Sequence, residues 1–200
     1  MSFVRALTDG AAAGRALELF DEDRRKDGYV WNLTRVLALR PAVVDAWRGL
    51  VGAVRAPMDA RRYELVTLAA ARALRASYCM LAHGRILAET FYTAGQVAAI
   101  ARDPARAGLE PVDVAVMEFA GKVAARAEQV TQADVDALRA HGLGDAEILD
   151  VALAAAARAF FTKTLDAMGV QPDAGYRSLD AALLEALTVG RPLAAAEDRP

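Results

Sequence analysis

Residues 63–87, YELVTLAAARALRASYCMLAHGRIL, contain the only cysteine of the chain, Cys79, and one of its two histidines, His83. The stretch reads as the body of one Ala-rich helix, Arg61 to Leu74, and the start of a second, Ser77 to Thr93. Residues four apart on a helix share a face, so Cys79 and His83 are expected to form a thiol–imidazole pair. Ser77 is the expected N-cap, because its hydroxyl can accept a backbone N–H left without a partner at the helix start. That puts Cys79 in the first turn, where the helix dipole and the imidazole both favour thiolate over thiol. Glu64 lies fifteen residues before the cysteine. Together the three side chains describe a carboxylate–imidazole–thiol relay: the thiolate attacks, the imidazole moves protons and the carboxylate orients the imidazole. Taken singly, each also has a structural reading: a small buried apolar residue for Cys79, a core ring for His83, a solvated helix position for Glu64. Tyr78 offers a hydrogen-bond donor beside the cysteine, or a packing ring. In an antiparallel hairpin, at about 1.5 Å per residue, Glu64 and His83 sit at different heights, so contact calls for crossing helices or a bridging water.

Outward from this stretch the chain stays helical in pattern. Toward the N-terminus, Ser2 to Phe20 reads as a helix and Asp21 to Gly28 as a charged connection. Leu33, Val36, Leu37 and Leu39 mark a further helix, Pro41 starts the next, and Val43, Val44, Trp47, Leu50 and Val54 give it an apolar stripe. Asp59 is a cap for the helix carrying Glu64. Toward the C-terminus, Gln96 to Arg102 is a short helix and Asp103 to Gly108 a loop. Glu110 to Ala127 turns Val116, Phe119 and Val123 inward. Thr131 with Asp134 makes a near capping box, and Gly142 suits a left-handed helix end. His141, beside it, reads as a partner for the C-terminal dipole and not as a ligand. Asp145 is expected to cap a long helix to Met168, and Tyr176 to Val189 forms the last one. No strand pattern appears. The expectation is an all-α helical bundle forming one domain over residues 1–190, with residues 191–200 as a flexible tail.

Composition narrows the function. The chain has 200 residues, a net charge of −2 and 55% hydrophobic residues. Nothing basic enough for nucleic acid is present, and no polybasic block addresses an anionic membrane. The longest apolar run, Val151 to Phe161, is interrupted by Arg158 and is too short to span a bilayer. One cysteine cannot make an intrachain disulfide, which fits a reducing compartment, and no secretory signal opens the chain. A cytoplasmic protein is expected. Cys79 and the two histidines lack metal-site spacing, no phosphate loop is found, and no cofactor is implied.

Residues 64–79 align with 147–162, both beginning Glu–aliphatic and sharing an arginine and alanines. Thr162 then stands where Cys79 does, and Asp166 where His83 does. The alignment predicts a weak internal duplication.

Glu64, Tyr78-Cys79 and His83 resemble the signature of the alkylhydroperoxidase D-like, carboxymuconolactone decarboxylase family. That signature is a glutamate, then C-x-x-C-x-x-x-H, with the glutamate fifteen residues before the second cysteine. GYVWN at 28–32, Arg40-Pro41 with Trp47, and FTKTLDAMGVQPD at 161–173 resemble the peroxidase-related branch. The resemblance extends over most of the chain, from Asp21 to Leu179. It implies an all-α fold, a homo-oligomer of trimeric or hexameric type, and catalytic roles for Cys79, His83, Glu64 and Tyr78. The family's first cysteine falls on Ala76, so the dithiol–disulfide cycle is absent. A sulfenic acid on Cys79 then needs an outside thiol as reductant. The implied activity is thiol-dependent reduction of a hydroperoxide. The alternatives are cofactor-free decarboxylation of a small organic acid, and a non-catalytic helical oligomer of the same fold.

Overall fold

The computed structural model describes residues 2–195, and these residues form helices and turns without a strand. The α-helices are α1 (Arg15–Asp27), α2 (Asn32–Leu37), α3 (Pro41–Arg55), α4 (Ala60–Ala73), α5 (Ser77–Thr90), α6 (Ala94–Arg102), α7 (Pro111–Arg126), α8 (Gln132–Ala140), α9 (Asp145–Ala167) and α10 (Ala181–Leu187). The all-α expectation holds.

The bundle is built around α4. Leu65, Val66, Leu68, Ala70 and Ala71 are fully buried, because α4 packs on α5, α7 and α9 at once. Small residues on α4 let its neighbours come close: a Cβ on Gly121 of α7 would stand 3.7 Å from Ala73 Cβ. Fully burying one leucine is worth roughly 1.5–3 kcal/mol, so this layer dominates the core. Asp59 caps α4, its side chain accepting from Arg62 N at 2.9 Å. Thr131 and Asp134 form the capping box that starts α8. Gly142, at φ +89°, takes the left-handed conformation after it. α10 lies across α5 and α6, and α3 lies along α9.

Several expectations are corrected. Residues 21–27 are helical, since Glu22 pairs with Arg15 of its own helix and with Arg48 of α3, and α1 runs on until Gly28 at φ +80°. Gly144, not Asp145, caps α9. The expected last helix divides into a 3-10 turn, Ala174–Ser178, and α10, because Asp180 captures Leu183 N at 3.0 Å and restarts the helix. The loop from Asp103 holds a 3-10 turn capped by the Asp103 side chain. The start of the expected tail is docked. Ala194 is buried with its N–H on Pro172 O at 2.8 Å, and Arg191 donates to Asp166 O. Residues 196–200 lie outside the described residues. The two segments of the proposed repeat differ in form. Residues 64–79 break at Leu74–Ala76, where Arg75 takes φ +54°, whereas residues 147–162 lie within one continuous helix, α9.

Candidate active site

The N-cap of α5 lies one residue earlier than expected. Ala76 is the N-cap and makes no side-chain cap bond, and Ser77 is the first helical residue. The Ser77 hydroxyl is taken by the distant C-terminal segment, accepting from Gly190 N at 2.8 Å. Gly190 can approach because it lacks a side chain: a Cβ there would lie 1.9 Å from Arg75 O. Cys79 remains in the first turn of α5, where the dipole argument applies. It is 2% exposed.

His83 follows one turn later on the same face. Its Nδ1 lies 2.6 Å from Glu64 Oε2, on α4, with no intervening water needed. Glu64 is 1% exposed, and its other oxygen, Oε1, lies 3.9 Å from Arg55 Nη2. A carboxylate accepts a hydrogen bond from Nδ1–H, so the neutral ring presents the Nε2 lone pair. Desolvation first, then the positive charge of Arg158, holds the His83 imidazole below its ordinary value, against the upward pull of Glu64. A neutral, oriented imidazole is a proton acceptor.

No hydrogen bond joins Cys79 to His83 among the described residues. The sulfur is held instead from α9. Thr162 Oγ1 donates to Cys79 Sγ at 3.2 Å, and Arg158 Nη1 lies 3.8 Å from the same atom. Arg158 is 7% exposed, and its guanidinium rests 5.6 Å from the Phe161 ring and 6.0 Å from the Trp47 ring. Burying an unpaired guanidinium costs on the order of several kcal/mol, so a cation there favours an anion as neighbour. Arg158 and Thr162 are the residues that sequence reasoning passed over. The available signal was a single charge inside the apolar run 151–161. Trp47 and Phe161 also line an apolar pocket of 460 Å³ with Val43, Leu37 and Met168.

Tyr78, the fourth candidate, turns elsewhere. Its hydroxyl donates to Asp173, and it accepts from Leu33 N at 3.4 Å. Asp173 also accepts from Asn32 N at 3.0 Å, so this cluster ties α5 to the start of α2 and to the turn after α9. Tyr78 makes no hydrogen bond to Cys79, His83 or Glu64 among the described residues. Burial raises the Asp173 carboxyl to about 6 and keeps the Tyr78 phenol protonated, well above its ordinary value. His141 sits at the end of α8, as expected for a helix-end residue. Among the described residues, no group of three or more His, Cys, Asp or Glu side chains is placed to hold a metal, and no helix is long and apolar enough to cross a membrane.

A buried thiol at a helix start, backed by a Glu–His pair inside an all-α bundle, defines a class of thiol-bearing helical proteins. Solved structures of the same fold place it further. The chain is similar to an alkylhydroperoxidase AhpD core, an uncharacterized peroxidase-related protein from Ralstonia eutropha JMP134. Identity is 25%, with 88% of this chain and 94% of that one covered at TM-score 0.77. A peroxidase-related protein from Silicibacter sp. TM1040 matches at 20% identity over 88% and 91% of the two chains, TM-score 0.63. The debrominase Bmp8 matches at 17% identity over 91% and 96%, TM-score 0.72. A cysteine-to-alanine variant of it, in complex with 2,3,4-tribromopyrrole, matches at 19% identity over 92% and 96%, TM-score 0.73. No family model and no curated relative matches the chain. The fold is that of the alkylhydroperoxidase AhpD core.

Proposed function

We propose that the protein is a thiol-dependent peroxidase that reduces hydroperoxides through Cys79. The observation that carries this reading is Cys79 at the start of α5, holding Thr162 and Arg158 on its sulfur one turn from a His83 oriented by Glu64. In the proposed step His83 Nε2 takes the thiol proton and Glu64 steadies the resulting imidazolium. The sulfur attacks the terminal oxygen of the hydroperoxide. The S–O bond forms as the O–O bond breaks, and the leaving alkoxide takes the proton back from His83. Cys79 ends as a sulfenic acid and the peroxide as an alcohol. An external thiol condenses with the sulfenic acid, releasing water, and a second thiol frees Cys79. Ala76 leaves no internal thiol for that task. The apolar pocket beside Trp47 gives room for the carbon body of an organic hydroperoxide.

The same fold carries a debrominase, so the substrate class rests on the site and not on the fold. The cycle suits a reducing compartment such as the cytoplasm. Leu149, Leu153 and Phe160 on α9, with Val43 and Leu50 on α3, are exposed apolar side chains, and their exposure supports a homo-oligomer that would cover them. A second reading, cofactor-free decarboxylation of a small organic acid, draws on the buried Glu64–His83 pair, since general acid–base work on carbon needs no thiol.

The test is thiol-dependent consumption of an organic hydroperoxide by native protein and by Cys79→Ser. Loss of turnover in the variant supports the peroxidase. Equal turnover in both removes it, and turnover of an organic acid that survives Cys79→Ser but not His83→Gln favours the decarboxylase.

A further inference from the structure

Arg158 is a buried cation with no ion-pair partner among the described residues. Its hydrogen bonding to protein among the described residues consists of Nη1 on Cys79 Sγ, and Nε is buried without an acceptor. In a guanidinium, Nε–H and the far terminal nitrogen point the same way and form the fork that grips a carboxylate or phosphate with two parallel bonds. Here the sulfur occupies the other terminal nitrogen. The guanidinium therefore keeps donors that no described protein group takes, the buried Nε–H among them, beside a nucleophile. The Phe161 and Trp47 rings lie 5.6 and 6.0 Å from its central carbon, within cation–π range. Arg158 also acts electrostatically on His83, which places the cation near both partners of the proton transfer.

We propose that the guanidinium of Arg158, with Nη1 on the sulfur and Nε without an acceptor, is an oxyanion-binding site that takes the oxygen on which negative charge develops when Cys79 attacks. The peroxide ligand rests on the peroxidase reading, whereas anion binding beside the sulfur does not. When the O–O bond breaks, its electron pair stays on the leaving oxygen. Arg158 holds that alkoxide until the proton that His83 took from the thiol reaches it, and it departs as the alcohol. Arg158 is then a catalytic residue, since it touches both the sulfur and the leaving oxygen. Removing one oriented oxyanion donor costs about 100- to 1,000-fold in rate in other enzymes, which sets the expected scale.

The experiment compares two alkylating reagents of similar size on Cys79, iodoacetate, which is anionic, and iodoacetamide, which is neutral. Rates are followed by intact mass in native protein, Arg158→Met and Arg158→Lys, with sodium acetate as competitor. The expected result is preference for iodoacetate in native protein and protection from iodoacetamide by acetate. The preference falls about tenfold or more in Arg158→Met, with Arg158→Lys, which keeps the charge and loses the fork, in between. An unchanged reagent ratio in a folded Arg158→Met overturns the proposal. Where that variant does not fold, failure of acetate to protect the native protein overturns it. A separate arm with hydrogen peroxide, which has no permanent charge, reads the developing charge. Sulfenic acid forms about 100-fold more slowly in Arg158→Met. Native protein that prefers iodoacetate and forms no sulfenic acid keeps the oxyanion site and removes the peroxide reading.

Discussion

Glu64 Oε2 lies 2.6 Å from His83 Nδ1, although the two residues sit on separate helices joined by a three-residue turn. That contact fixes which nitrogen of His83 carries the proton, and it leaves the other available for chemistry one helical turn from Cys79.

Glu64→Gln keeps the shape of the acceptor and removes the charge that steadies an imidazolium. Oxidation of Cys79 by hydroperoxide should slow by about 10–100-fold in Glu64→Gln, and by about 100-fold or more in His83→Gln. Stopped-flow peroxide consumption with trapping of the sulfenic acid measures both. Rates within twofold of native in His83→Gln would take the imidazole out of the reaction.

The two buried titrating groups act on stability in opposite directions. Asp173 is raised to about 6 by desolvation, above its unfolded value, so its stabilising contribution is present at low pH and is lost as pH rises through about 6. His83 is held below its ordinary value, so its contribution is present above about 6.5 and is lost as pH falls. Asp173→Asn should therefore gain on native protein as pH rises from about 4 to about 7, by at most about 3 kcal/mol. Urea unfolding at a series of pH values measures the difference, and one that stays flat over that range contradicts the buried carboxyl.

Ala76 is the N-cap of α5, three residues before Cys79 and itself buried. Disulfides need Cα atoms about 4.4–6.8 Å apart, a separation that a C-x-x-C at a helix start meets. Ala76→Cys should form an intrachain disulfide under mild oxidation and gain dithiol-dependent peroxide turnover. Mass after alkylation under non-reducing conditions shows the bond. A disulfide without turnover supports the non-catalytic reading, and no disulfide contradicts this geometry of the helix start.

Leu149 and Leu153 are 57% and 43% exposed and one turn apart on α9. In a homo-oligomer built on this face, Leu153→Glu shifts sedimentation at micromolar concentration toward the 21.3 kDa monomer. A native protein already monomeric there rejects the assembly.

Much of the fold was legible because local chemistry decides it. Asp59, Thr131 and Gly142 mark helix ends by side-chain caps or left-handed backbone that need no distant partner. Where a distant partner intervenes, the sequence misleads. Ser77 has the chemistry of an N-cap, but its hydroxyl serves Gly190, 113 residues away. Residues 21–27 look like a polar connection until Arg48 of α3 supplies a partner for Glu22. At the site, Cys79, His83 and Glu64 were readable from residue type and spacing. Arg158 and Thr162 reach the sulfur only because α9 packs beside α5 through α4, a relation that spacing along one chain does not carry.

The measurement closest to the central claim is the intact mass of the protein after brief exposure to stoichiometric organic hydroperoxide, with and without a sulfenic-acid trap. Native protein should gain one oxygen atom, or one trap adduct mapped to Cys79, and a small external thiol should reverse the gain. Cys79→Ser should gain neither. Native protein that stays unmodified while remaining folded would contradict the assignment of Cys79 as the peroxide-reducing thiol.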